Sequence, residues 1–138
     1  MQYTRIYTDP MGETHYEEVK VPLAPIDFAP PTPPLHLSAF HTATQYGFCR
    51  FPAGWIGSWH PTPQRQLFGI LAGVVEAQTS DGEVRRFGAG SCVLLEDTTG
   101  KGHITRVVGP TEVLSIVVQL PASSPEGLTS PGADTGGR

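Results

Sequence analysis

The sequence predicts an all-β fold, a jelly-roll barrel preceded by an amino-terminal β arm. Sixteen glycines and fourteen prolines among 138 residues fall as punctuation between short apolar runs, the pattern of a sandwich or barrel. No window of a dozen residues carries a helical apolar stripe. The segment SDGE at 80–83 sets Asp-Gly between two strand-like runs, a strong hairpin signal because that turn needs positive φ.

The chain divides into three zones. Residues 1–35 hold strand candidates Tyr3–Thr8 and His15–Leu23, then the run APPTPPL, which proline should keep extended. This zone reads as an arm packed on the barrel. Residues 36–120 form the barrel itself, with strands expected at Ala43–Phe51, Gln66–Leu71, Val74–Thr79, Glu83–Phe87, Cys92–Glu96, His103–Val107 and Thr111–Leu120. The GAG at 88–90 and VGPT at 108–111 mark tight connections. Residues 121–138, small, polar and rich in Pro and Gly, read as a flexible tail that cannot bury enough apolar area to offset ordering.

Composition excludes several classes of function. The formal net charge is −4 and the nine Lys and Arg residues are scattered, which argues against nucleic acid as partner. No apolar run approaches the roughly 20 residues of a membrane span, and the first residues show no basic-then-apolar leader, so a cytoplasmic location is the expectation. Cys49 and Cys92 lie in strand-like apolar stretches and read as small buried hydrophobes; a catalytic thiolate is the sharper alternative. The TTGKG at 98–102 lacks P-loop spacing and no helix follows it, and no GxSxG elbow is present.

The stretch WHPTPQRQLFGILAG, 59–73, carries the candidate chemistry. His60 opens it, and a second histidine, His103, follows GKG far along the chain, so only tertiary folding can bring the two together. Two imidazoles facing an apolar cavity could exchange protons with a small organic ligand at neutral pH. The blander alternative is a pair of satisfied histidines lining a cavity that only binds. Trp55 and Trp59 flank His60 and offer stacking area, while Tyr46 and Phe48 share one face of the preceding strand, from which Tyr46 could present a phenol. Arg65 should point opposite to Gln66. Glu76 and Gln78 share one face, and Val75 and Ala77 the other, with the buried face open. Glu96 and Asp97 read as a solvated pair at a turn, a catalytic carboxylate being the lesser reading.

The segment Ile56 to Val108 resembles a small single-domain bacterial cupin of the RmlC-like superfamily. The first cupin motif, G-x5-H-x-H-x3,4-E-x6-G, is matched by His60, Thr62, Gln66 and Gly73, with Gly54 or Gly57 loosely at its start. The second, G-x5-P-x-G-x2-H-x3-N, is matched by Gly90, Gly100 and His103. The gap between those glycines is longer than the pattern, Thr98 stands at the proline, and Val107 at the asparagine. The resemblance implies a double-stranded β-helix whose cavity holds the functional groups at His60, Thr62, Gln66 and His103. Cupin metal sites generally use three His and one Glu. Here two imidazoles remain, with Gln66 as a possible third ligand, so a weak divalent metal is conceivable but no cofactor is preferred. The expected function is His-based acid–base chemistry on a small organic molecule, of isomerase, dehydratase or cyclase type. The alternatives are a non-catalytic ligand-binding cupin and a metal-dependent enzyme with an incomplete two-His site. Exposed edge strands favour a homodimer.

Overall fold

A computed structural model describes residues 1–122; the expected tail lies mostly outside the described residues. The described chain is all β. A six-stranded sheet has the order β2-β1-β9-β6-β11-β5, and a three-stranded sheet the order β10-β7-β8. Their strands are β1 (Gln2–Thr8), β2 (Thr14–Lys20), β5 (Gln45–Phe51), β6 (Gln66–Ala72), β7 (Val74–Thr79), β8 (Val84–Phe87), β9 (Cys92–Leu95), β10 (His103–Val108) and β11 (Val113–Gln119). A separate hairpin pairs β3 (Ala24–Ile26) with β4 (Leu35–Leu37).

The pairings nest as a jelly roll requires. Between β5 and β6 the chain runs irregularly but bridges β10 at Ile56–Arg106 and His60–His103. From β5 onward, the first strand pairs with the last (β5 with β11), the 56–60 segment with β10, β6 with β9, and β7 with β8. A folded ribbon of four antiparallel pairs wrapped into a barrel has this connectivity. Gly73 permits the step from one sheet to the other between β6 and β7. Its φ is +83°, and a Cβ there would sit 2.4 Å from the Glu112 carbonyl oxygen.

Alternation along the strands fills the barrel. Ile70, Val75, Ala77, Phe87, Val93, Val107 and Val113 are buried together, which settles that Val75 and Ala77 face inward. Glu76 turns out and accepts hydrogen bonds from Arg86 and Arg106. Tyr16 reaches from β2 to donate to the Ala77 carbonyl at 2.6 Å, and burial pushes its phenol well above the usual range.

The amino-terminal residues are more than a covering layer. β1 lies between β2 and β9, parallel to β9, and Ile6 (1% exposed) enters the core. The second strand ends at Lys20, earlier than expected, and APPTPPL spans the turn of the β3–β4 hairpin rather than an extended link. Pro25 is accommodated because a two-stranded ribbon leaves half its main-chain donors unneeded. No helix among the described residues is long and apolar enough to cross a membrane.

His15 ties two turns together. Its Nε2 bonds Asp9 at 2.7 Å beyond β1, and its Nδ1 bonds Asp81 at 3.0 Å between β7 and β8. The bond to Asp9 raises the His15 pKa against the effect of burial, with Asp81 adding to it. The same bond lowers Asp9; Asp81 is lowered by Thr79, Glu83 and His15 despite burial. A raised histidine stabilises the fold fully below its unfolded pKa of about 6.5, and that contribution fades as pH climbs through the folded value. The lowered carboxylates stabilise above about 4, and their contribution fades as pH falls through their folded values. The stability difference between wild type and His15→Gln, from urea denaturation, is therefore expected to be greatest near pH 5–6 and to shrink toward pH 9. A difference that grows with pH would contradict this reading of the cluster.

Candidate functional site

The barrel encloses a cavity of about 190 Å³, with Phe51, Trp55, Phe68 and Ile70 among its apolar walls and His60, Thr62, Gln66, His103 and Thr105 as its polar groups. A cavity of roughly 150 Å³ already accommodates a benzene-sized molecule, so this one fits a compact organic ligand.

Local structure brings the two histidines together. Each donates its main-chain N–H to the carbonyl of the other, at 3.1 and 3.0 Å, and the ring centroids stand 5.1 Å apart. The approach depends on Gly102, immediately before His103. Its φ is +74°, and a Cβ would lie 2.2 Å from the His60 carbonyl carbon and oxygen. The GKG that precedes the second histidine is thus the condition for the pair.

Asp97 completes the arrangement. It is 0% exposed, and its Oδ2 lies 2.6 Å from Nδ1 of His103, itself 4% exposed. The contact fixes the orientation of the His103 ring, and a proton held on Nδ1 toward the carboxylate leaves the Nε2 lone pair available. Oδ1 of Asp97 has no hydrogen-bond partner among the described residues. His60 reaches the same tautomer by another route, since its Nδ1 lies 2.8 Å from the Ser58 carbonyl oxygen. His60 is solvent-exposed, whereas His103 is buried.

Gln66 and Thr62 are also fixed. Thr62 donates to the Gln64 carbonyl and accepts from Gln66 Nε2 at 3.2 Å, while Gln66 Oε1 accepts from Gln119 at 3.3 Å. The Thr62 main-chain N–H bonds the Asp97 carbonyl, linking this group to the histidines.

Several expectations need correction. Tyr46 is 71% exposed, and with Phe48 (74%) it lies on the outer side of the barrel. Alternation correctly put these two on one face, but inward residues of β5 lead to Phe51, so that face is the outer one. Trp59 is 47% exposed and does not line the cavity, where Trp55 alone of the tryptophans stands. Glu96 and Asp97 are not a solvated pair: Glu96 is bonded by Arg5 and Arg65, and Asp97 is sealed inside. Arg65 does face away from Gln66, as expected, toward that ion pair. Val93 and Leu95 face inward, and continuing their period of two would have pointed to Asp97. Cys49 and Cys92 are free and outside the cavity walls, and burial pushes both thiols up.

The residues do not fit a tightly held metal ion. Two imidazoles supply nitrogen, the Gln66 oxygen is already engaged by Gln119, and Asp97 sits behind the His103 ring. Among the described residues, no group of three or more His, Cys, Asp and Glu side chains is placed to hold a metal ion. Catalytic zinc sites use three protein ligands.

No protein-family model matches the chain, and no curated protein matches it. Solved structures do. One is a cupin protein of Bacteroides fragilis, 24% identical over 64% of this chain and 74% of its own, with a TM-score of 0.47. A cupin 2 conserved barrel domain protein of Salinispora arenicola is 20% identical over 75% of this chain and 82% of its own, at a TM-score of 0.48. KdgF of Halomonas sp. is 21% identical over 59% and 74%, at 0.43. At this level the cupin likeness carries no chemistry, which rests on the residues of this pocket.

Gly102→Ala is expected to destabilise the protein by at least about 3 kcal/mol in urea denaturation, because the methyl meets the His60 backbone. Gly82→Ala, at φ +96° with open space around it, is the control and should cost about 1 kcal/mol. Equal costs would show that the close approach at His60 is not a constraint.

Proposed function

We propose that this chain is a cupin-type enzyme of cytoplasmic small-molecule metabolism. It acts on a compact organic ligand in the barrel cavity by histidine acid–base chemistry, of isomerase, dehydratase or cyclase type, without a tightly bound metal. The observation that carries the reading is the buried Asp97–His103 hydrogen bond, set beside His60 at the polar end of an apolar cavity.

In this reading His103 Nε2 takes a proton from carbon next to a carbonyl, and the C–H electron pair becomes the C=C bond of an enol. The carbonyl π pair moves to oxygen, where protonated His60 delivers its Nε2 proton. Asp97 holds the His103 ring in orientation and offsets the positive charge that develops on it. Thr62 and Gln66 would hold polar substituents of the ligand, and Trp55 would cover its apolar side. Return of a proton to a different carbon gives isomerisation, and loss of a neighbouring hydroxyl gives dehydration.

A panel of four- to six-carbon hydroxyketones and keto acids, incubated in D₂O with chelator-treated protein, tests this by NMR-detected exchange of carbon-bound hydrogen. Wild type should catalyse exchange in at least one member. His103→Ala should lose about 100-fold or more, and His60→Ala a comparable factor. Exchange that survives both substitutions, or that appears only when a divalent metal is added, defeats the proposal. The mostly apolar cavity wall also suits a second reading, a non-catalytic binder, which saturates with ligand in calorimetry but exchanges no hydrogen.

A further inference from the structure

Among the described residues, no Lys, Arg, Asp or Glu side chain lines the cavity. Arg5, Arg50, Arg65, Arg86 and Arg106 each adjoin a lining residue in sequence, and alternation turns each to the other side. There they meet glutamates: Arg5 and Arg65 meet Glu96, Arg50 meets Glu112, and Arg86 and Arg106 meet Glu76. Lys101, two residues before His103, is paired with Glu13. Asp97 stands behind the His103 ring and is not part of the wall. An ionised ligand would leave water for a cavity with no permanent charge opposite to its own, which costs far more than burying a neutral one.

The hydrogen bonds at the polar end run in one direction. A hydroxyl carries one hydrogen, and that of Thr62 goes to the Gln64 carbonyl oxygen at 2.9 Å. Gln66, 3.2 Å from the same hydroxyl oxygen, therefore has to present its amide nitrogen and not its oxygen. The order continues outward through two more glutamines: Gln66 Oε1 accepts from Gln119, and Gln119 Oε1 accepts from Gln45. With its oxygen held and one N–H spent on Thr62, Gln66 keeps one N–H without a partner among the described residues. The residue is 7% exposed and lines the cavity, so this hydrogen is satisfied by whatever occupies that space.

We propose that Gln66 is a specificity-determining hydrogen-bond donor and that the ligand is uncharged, a compact molecule with an apolar body and an oxygen acceptor, as in a ketone or lactone, at one end. Gln119 and Gln45 are positioning residues that keep the Gln66 amide from turning over. Thr105 can rotate its hydroxyl to donate or accept, and the histidines exchange protons, so Gln66 is the group that fixes the sense of the bond. The inference rests on the reading of the cavity as a small-molecule site, and it narrows that reading: hydroxyketones fit, keto acids do not. A cavity of about 190 Å³ has room for a six-membered ring.

Chemical-shift titrations of the ¹⁵N-labelled full chain near pH 8 test the proposal with four probes of similar shape: cyclohexanone, methylenecyclohexane, cyclohexanecarboxylate and cyclohexylammonium. Cyclohexanone should move the Gln66 side-chain amide signal and bind at least about 10-fold more tightly than either ion. In Gln66→Met, with folding checked by melting, the ratio of ketone to hydrocarbon affinity should fall about 5-fold, the worth of one neutral hydrogen bond. Gln119→Met should lower the same ratio and leave the affinity for the hydrocarbon unchanged, which a merely structural loss would not do. Gln66→Leu replaces Gln66→Met if that variant unfolds, and the wild-type amide shift needs no variant. An ion that binds as tightly as the ketone, a ratio unmoved in Gln66→Met, or a Gln66 amide that does not respond to cyclohexanone overturns the proposal. Ketone binding as expected, without hydrogen exchange in D₂O, supports this inference and counts only against the acid–base chemistry. Exchange confined to keto acids does the reverse.

Discussion

Two main-chain hydrogen bonds between His60 and His103 hold together both the barrel and its candidate chemistry. The 56–60 segment is the second strand of the jelly roll in topology only, being fastened to β10 at two isolated bridges. One of these bridges is the histidine pair. It closes the barrel on that side and brings two imidazoles to the cavity in a single step. A side chain at Gly102 would occupy the space that the His60 carbonyl fills, so the closeness of the pair is bound to one glycine.

The electrostatics build outward from this bridge. Asp97 is the buried carboxyl group of the site, and its place behind His103 gives the ring an orientation that water would not. Burying a carboxylate is costly unless it is well paired, and one of its oxygens has no partner among the described residues. A residue kept at such a cost is a reasonable place to look for function. Glu96 next door shows the contrast: bonded by Arg5 and Arg65, it ties β1 to the base of β6 and takes no part in the cavity.

Much of the fold was legible because the barrel's strands obey a period of two and end at Gly, Pro and Asp-Gly. The meeting of His60 and His103 was legible only through the motif, since spacing alone says nothing about residues so far apart. Three readings failed for a shared reason. Alternation identifies which side chains share a face but not which face is inside, and that displaced Tyr46 to the outer surface. Trp59 failed similarly, being next to His60 in sequence yet turned from the cavity. Asp97 was hidden by its acidic neighbour, because two adjacent carboxylates look like a solvated turn until Val93 and Leu95 are seen to point inward. The β3–β4 hairpin was concealed by prolines that mark extended chain but do not reveal a pairing between Ala24–Ile26 and Leu35–Leu37.

The central claim is that Asp97 and the Ser58 carbonyl each hold a proton on Nδ1, leaving Nε2 of both rings as the atom that exchanges protons with the cavity, as base at His103 and, once protonated, as acid at His60. Two-dimensional ¹⁵N–¹H correlation of the imidazole rings, at a pH where they are neutral and with His60→Gln and His103→Gln for assignment, measures this directly. The expected result is the Nδ1–H form for both rings, with the His103 signature altered in Asp97→Asn and that of His60 unchanged. An Nε2–H tautomer at His103 in the wild-type protein would contradict the claim.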